Sequence, residues 1–196
     1  MKVATIALLS MVVLVSACGS SRTNTDLTPS PTAETLKQAP KWFIDVPQDP
    51  NMLFAAATAT STDMQLAVNK AQTEGRNQLA QQMEVKFNGL QKRFQEETGV
   101  GDDSEYLDQF TLAYKSIVST VLYGSRISKQ EFKREREVYR SYVLMEMPIG
   151  QANKELMSKI KANQNLYTRF RATQAYKELD EEIERFEAWK KEQGHY

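Results

Sequence analysis

The amino-acid sequence predicts an α+β fold: a small antiparallel sheet of about three strands packed by helices, in the order β-α-α-β-β, then a long C-terminal helix. Three observations predict it. Apolar residues recur with a helical period over residues 63–97 and 105–122, the period becomes two within residues 125–147, and residues 151–193 contain neither proline nor glycine. The body after residue 40 has a suitable size for one domain.

The first strand is predicted from Met52 to Thr60, directly after the turn signal Asp49-Pro50-Asn51. Alanine and threonine alternate here, so the pattern alone fits a helix or a strand. A strand is favoured because Thr62-Asp63-Met64-Gln65 follows and fits a capping box. In that motif the Thr62 hydroxyl accepts a main-chain N–H and the Gln65 side chain reaches back to the cap.

Two helices are predicted next, from Asp63 to about Glu97 and from Glu105 to Leu122. The first places small and apolar residues on one face: Met64, Ala67, Val68, Ala71, Gly75, Leu79, Met83, Phe87, Leu90 and Phe94. Gly75 costs about 1 kcal/mol relative to alanine inside a helix, which indicates close packing at that position. Gly99 is the predicted helix stop.

A β-hairpin is predicted from the segments Ile127–Phe132 and Val138–Met147, which are rich in strand-forming residues. Alternation places Tyr139, Ser141, Val143, Met145 and Met147 on one side of the second strand and Val138, Tyr142 and Leu144 on the other. The stretch "KREREV" between them lacks glycine, proline and asparagine, so the register stays open.

The C-terminal segment carries an apolar stripe of possible interaction residues, Tyr176, Leu179, Ile183 and Phe186, at helical spacing. A single helix of about forty residues would be ~60 Å long, so part of this stripe would need another helix to cover it. The alternative is that the segment folds back on its own domain, with a break near Asn163 to Asn165. Both alternatives stay open.

The N-terminus has the features of a secretion signal. Lys2 supplies a positive charge, Val3 to Ala17 is an uncharged and mostly apolar run, and small residues lead into Cys18, the only cysteine. The run is shorter than the ~20 apolar residues that a membrane-spanning helix needs. A single cysteine also excludes an internal disulfide.

Val15, Ser16, Ala17 and Cys18, followed by Gly19, resemble the lipobox of bacterial lipoproteins. The resemblance implies cleavage before Cys18, a diacylglycerol thioether on its sulfur and an acyl chain, such as palmitate, on the new amine. Several acyl chains, at ~0.8 kcal/mol per buried CH₂, anchor a protein stably. Asp after the cysteine favours inner-membrane retention in this class, so Gly19 favours the outer membrane, with the body in the periplasm.

Four segments follow along the chain: a signal peptide (1–17), the lipidated cysteine with a flexible tether (18–40), an α+β domain (41–150) and an amphipathic C-terminal helix (151–196). The tether is polar, and as a flexible coil it would span about 25 Å. Trp42 and Phe43 follow it. They either contact the membrane or a partner, or cap the core.

The stretches "PKWF", "LAVNKAQTEGRNQLAQQM", "LYGSRIS" and "YRSYVLMEMP" together resemble the Lpp-twenty type of bacterial lipoprotein. The matching residues are Trp42, Ala67, Ala71, Arg76, Leu79, Ala80 and the strand Tyr142 to Met145. The resemblance covers about Trp42 to Pro148. It implies an envelope lipoprotein with a small α+β domain and no enzymatic activity, whose relatives include a flagellar lipoprotein that builds a disk at the outer membrane.

Catalytic chemistry finds little support in the residues. The one histidine, His195, is next to the C-terminus, and the carboxylates of "DDSEYLD" and "ELDEEIE" lie at predicted helix starts or exposed faces. We therefore predict no catalytic residue, no cofactor and no metal ligand. Six cations between Arg126 and Arg140 alternate with glutamates, which predicts a solvated hairpin and no nucleic-acid partner; contact with anionic lipid or peptidoglycan stays open.

The expected function is that of a membrane-anchored envelope lipoprotein with a non-catalytic structural or adaptor role, acting through self-association or protein partners. The C-terminal helix is the expected contact. The alternative is a periplasmic binding module that holds peptidoglycan or another envelope ligand between the sheet and the helices.

Overall fold

The computed structural model describes residues 38–99, 101, 104–192 and 194. Within these ranges the chain forms six helices and three strands, which confirms the predicted α+β class. Their bounds are α1 Lys41–Ile44, β1 Met52–Ser61, α2 Met64–Thr98, α3 Glu105–Tyr123, β2 Arg126–Glu135, β3 Val138–Pro148, α4 Ile149–Ala162, α5 Gln164–Phe170 and α6 Gln174–Glu192.

The sheet is antiparallel with the order β1-β3-β2, so the last strand in the chain is the central one. Val143, Met145 and Met147 of β3 lie in the main core, on the sheet face that α2 covers, as the alternation predicts. Tyr142 and Leu144 point to the opposite face and are also buried. We call these the inner and the outer face of the sheet.

The start of α2 differs from the predicted capping box. Asp63, not Thr62, is the N-cap, and its Oδ1 accepts a hydrogen bond from the Leu66 main-chain nitrogen at 2.7 Å. Gln65 does not reach back; its amide donates to Asn69 at 3.0 Å. A carboxylate at this position also interacts favourably with the positive end of the helix dipole, which a threonine hydroxyl cannot do.

The predicted close packing at Gly75 is confirmed. A Cβ atom at this position would lie 2.5 Å from Cγ of Met145, a residue with no exposed surface on the inner face of β3. The end of α2 is also as predicted, because Gly99 adopts a left-handed conformation with φ of 65° and donates to the Gln95 carbonyl.

We expect Gly75→Ala to lower the free energy of unfolding by about 1–3 kcal/mol, since overpacking outweighs the better helix propensity of alanine. Urea unfolding of residues 19–196 measures it. Combining Gly75→Ala with Met145→Ala should cost less than the sum of the two single changes. Strict additivity would contradict the close contact.

The hairpin between β2 and β3 closes through Arg136 and Glu137. Arg136 has a φ of 54°, so a non-glycine residue takes the left-handed conformation in this two-residue turn. β2 also contains an irregularity between Ile127 and Lys129, where its register against β3 shifts. The sequence left this register open because the turn carries no glycine or asparagine.

The C-terminal segment folds back in three helices. Asn163 ends α4 and caps α5, its Oδ1 accepting from the Leu166 nitrogen at 3.0 Å, which is the predicted break. A second break follows Phe170, where the Thr173 hydroxyl accepts from the Tyr176 nitrogen at 3.2 Å. The segment therefore belongs to the same core as the sheet.

Aromatic rings from three helices form the centre of the helical part of the core. Phe94 of α2, Phe110 of α3 and Phe170 of α5 lie with ring centroids 5.6 to 6.1 Å apart, and none of them has exposed surface. Edge-to-face and offset ring pairs of this kind add about 0.5–1.5 kcal/mol beyond the area that they bury.

Candidate functional site

The predicted lipid-attachment residue Cys18 and the predicted recognition residues Val15, Ser16 and Ala17 lie outside the described residues. The same holds for the tether up to residue 37. The described chain begins at Gln38, directly before α1. The place where α1 packs therefore fixes where the predicted tether meets the body.

Helix α1 lies on the outer face of the sheet, opposite α2. The Trp42 indole Nε1 donates to the Glu131 carboxylate of β2 at 3.2 Å, and the Phe43 ring meets the Tyr142 ring of β3 edge-on at 5.0 Å. Both α1 side chains are half-buried. Trp42 and Phe43 therefore pack on the outer face of the sheet, and their contact with a membrane or a partner stays a prediction.

A buried ion pair lies on the same outer face. Arg140 Nε and Nη2 donate to the two carboxylate oxygens of Glu135 at 2.6 and 2.9 Å, and the two side chains are 10% and 2% exposed. The prediction of a solvated hairpin is wrong at these two positions. The paired geometry makes this burial possible, because each charge satisfies the other.

Tyr142 lies beneath Phe43 and is almost fully buried, and its hydroxyl has no hydrogen-bond partner among the described residues. Burial raises the pKa of Tyr142 above its ordinary value of 10.0; Arg140 opposes the shift and Glu135 adds to it. A neutral, unpaired hydroxyl in such a site costs free energy.

We expect Tyr142→Phe to keep or raise the free energy of unfolding at neutral pH, by up to about 2 kcal/mol. Because the folded-state pKa is raised, the unfolded chain loses the Tyr142 proton first, and stability falls as the pH rises above about 10. The variant should therefore lose less stability than the parent between about pH 9 and 11. Equal alkaline losses, in urea titrations at each pH, would contradict this.

The other hairpin charges are exposed or half-buried, and some of them are paired. Arg126 Nε lies 2.6 Å from the Glu146 carboxylate, and Lys133 Nζ lies 3.7 Å from that of Glu131. Exposed pairs of this kind contribute about 0–1 kcal/mol each. Strand β2 thus presents a charged edge.

The predicted interaction stripe of the C-terminal helix is covered from within the chain. Leu179 and Phe186 are buried, and Tyr176 and Ile183 are half-buried against the core. The fold-back alternative is therefore the one found. A partner could reach Leu179 or Phe186 only if α6 left its place.

Charged residues line the sides of this helix packing. Lys86 of α2 pairs with Glu182 of α6 at 2.5 Å. Further along α2, Arg93 pairs with Glu178 of α6 at 2.8 Å. On the other side, Lys154 of α4 bonds to Glu187 at 2.8 Å, and this bond lowers the pKa of the Glu187 carboxyl. The pairs lie on both sides of the buried contact of α6, toward α2 and toward α4.

Two open grooves lie beside these elements. One, of about 300 Å³, runs between the segment Val46–Asp49 and the start of β1, with Gln82 at its side. The other, of about 280 Å³, lies between α4 and α6 and is lined by Lys154, Met157, Lys161 and Ile183, among others. In the described ranges, no group of three or more histidine, cysteine, aspartate or glutamate side chains could hold a metal ion.

Strand β1 forms the other edge of the sheet, and its ten residues, "MLFAAATATS", include no charge and no proline. The Ile149 nitrogen donates to the Asn51 carbonyl, and in an antiparallel pair every second residue bonds to the same neighbour. The main-chain groups of the odd-numbered residues of β1 therefore bond to β3. The main-chain groups of the even-numbered residues point away from β3. One of them, the Phe54 carbonyl, accepts a hydrogen bond from the Gln82 side chain of α2 at 3.0 Å. Sequence reasoning did not single out this edge, because strand order is not readable from local pattern.

Comparison with known proteins gives no match: no protein-family model, no curated protein and no solved structure aligns significantly with this chain. The resemblance to the Lpp-twenty type therefore stays a prediction. No helix within the described residues is both long and apolar enough to span a bilayer.

Proposed function

We propose that the chain is a bacterial envelope lipoprotein, anchored by acyl chains on Cys18, whose body has a non-catalytic structural or adaptor role. The observation that carries the proposal is the position of the only cysteine, directly after Val15-Ser16-Ala17 at the end of an apolar signal. A stable anchor of this kind brings the body to a membrane surface, where it meets partners or further copies of itself.

The packing of the body supports a role in binding rather than in reaction chemistry. Where charged groups converge in the described residues, they pair with each other, as Glu135 with Arg140 and Glu182 with Lys86. These pairs lie within the packing of the hairpin and beside that of α6. The proposed contacts with the same chain or with envelope proteins therefore use the exposed surfaces, not the covered stripe on α6.

The anchor is tested in cells with the full chain. We expect the parent to incorporate radiolabelled palmitate, to begin at Cys18 in mass spectrometry and to sediment with the outer membrane. Cys18→Ser should abolish the label and the cleavage. A labelled or normally cleaved Cys18→Ser protein would overturn the proposed anchor.

The matched control is Gly19→Asp, which keeps the cysteine. It should incorporate palmitate as the parent does but move to the inner membrane. Fractionation of the parent with the inner membrane would contradict the proposed outer-membrane location while leaving the anchor intact.

A further inference from the structure

The two edges of the sheet differ in how well they resist pairing with another strand. β2 carries Arg126, Lys129, Lys133 and Arg134 together with a register irregularity, and these are features that protect an edge. β1 has none of them: it is ten residues long, uncharged and free of proline. The unprotected edge is therefore β1.

The hydrogen-bonding groups of this edge are available. Ala56, Thr58 and Thr60 point their main-chain N–H and C=O groups away from β3, and no hydrogen bond from the described residues reaches them on that side. The Thr58 hydroxyl bonds back to the Ser141 carbonyl at 2.9 Å, so the side chain does not block the edge. Gln82 occupies only the Phe54 carbonyl.

We infer that β1 pairs with β1 of a second copy of this chain, which joins the two sheets into one. The inference rests on the proposed function and names the surface through which the body associates with itself. An antiparallel pair centred on Thr58 sets Thr58 opposite Thr58 and Ala56 opposite Thr60. This register uses every free group of the three residues, in about six hydrogen bonds, and avoids the occupied Phe54 carbonyl.

The side chains suit self-pairing. In this register alanine and threonine meet alanine and threonine, so that no like charges face each other and no large side chain has to move. On the inner face Ala57 lies opposite Ala59 of the second copy. Pairing β2 with itself would bring lysines and arginines together at many registers.

The attachment of the tether also favours a second copy. Both copies are held on one membrane under the proposed function, and each tether enters through α1 on the outer face of the sheet. The twofold axis of an antiparallel β1 pair is perpendicular to the sheet, so the two outer faces stay on the same side. Both anchors can then reach the same bilayer, which stacking the outer faces of two sheets would prevent.

The test uses the full, membrane-bound chain with one introduced cysteine. In the inferred register the two Thr58 Cα atoms lie about 5.5 Å apart, within the range that a disulfide spans. Thr58→Cys should give an oxidised dimer in most of the protein. Gln130→Cys, an exposed position on the β2 edge, should give at least tenfold less. Equal crosslinking of the two variants, or none in Thr58→Cys, overturns the inference.

Failure of the proposed function has a different signature. The parent has only Cys18, whose sulfur is a thioether if it carries lipid, so the parent should not crosslink. A crosslinked parent would overturn the proposed anchor, and a second measurement is then used for β1. Light scattering of residues 19–196 then decides: Thr58→Lys should weaken dimerisation about fivefold or more and Gln130→Lys should not. Equal weakening by both overturns the β1 inference.

Discussion

Replacing Arg140 by alanine is expected to lower the free energy of unfolding by about 3–5 kcal/mol, because it leaves a buried carboxylate without its partner. Both Glu135 oxygens bond to Arg140, at 2.6 and 2.9 Å, and the Glu135 side chain is almost completely removed from water. The measurement is urea unfolding of residues 19–196 with the variant and the parent side by side.

Two further variants separate the buried pair from a general effect of hairpin charge. Arg134→Ala removes an exposed cation from the same hairpin and should change stability by no more than about 0.5 kcal/mol. Replacing both Glu135 and Arg140 by methionine should recover most of the loss, since no unpaired charge remains. A loss below about 1 kcal/mol in Arg140→Ala would show that the carboxylate reaches water.

Gly150→Ala is expected to cost about as much as removing the Phe186 side chain from the core, roughly 3–5 kcal/mol. Gly150 lies in the first turn of α4, and a Cβ there would be 2.0 Å from Cγ and 2.3 Å from Cβ of Phe186. Since the Phe186 Cβ itself is in the way, a change of rotamer cannot relieve the overlap. The C-terminal half of α6 has to move away from α4.

The chain offers a matched control for this change. Gly89 is also a helical glycine, but a Cβ there would meet nothing within 4 Å, so Gly89→Ala should stabilise the protein by up to about 1 kcal/mol. In a background that carries Phe186→Gly, which removes the obstructing Cβ as well as the ring, Gly150→Ala should cost little more. Full additivity of Gly150→Ala and Phe186→Gly in urea unfolding would refute the contact.

Local pattern in the sequence is sufficient for the class of fold. The helical period that begins after Asp63 and the alternation from Val138 to Met147 are signals within one element, and both elements lie where the sequence predicts them. The break at Asn163 was one of two alternatives that the sequence left open, and the structure has it, with the asparagine as the cap of α5. The exact cap of α2 was not, since Thr62 and Asp63 are both suitable and only the geometry selects one.

The features that sequence reasoning missed depend on residues far apart in the chain. Gly150 is required because Phe186, 36 residues later in the chain, packs directly against it. Arg140 is buried together with Glu135, which lies on the neighbouring strand. The pattern of residues within one segment does not predict contacts between segments that are far apart in the chain. The free edge of β1 also depends on distant parts of the chain. β3, the last strand in the sequence, lies in the middle of the sheet, and this leaves β1 at one edge.

That strand order also constrains the time course of folding. Both edge strands pair only with β3, so no part of the sheet can form until residues 138–148 have been made. Both long helices, α2 and α3, are synthesised after β1 and before β3. Pairing between strands so far apart in the chain is slow compared with helix formation. β1 is thus without a partner in its own chain for much longer than β2, which only a two-residue turn separates from β3.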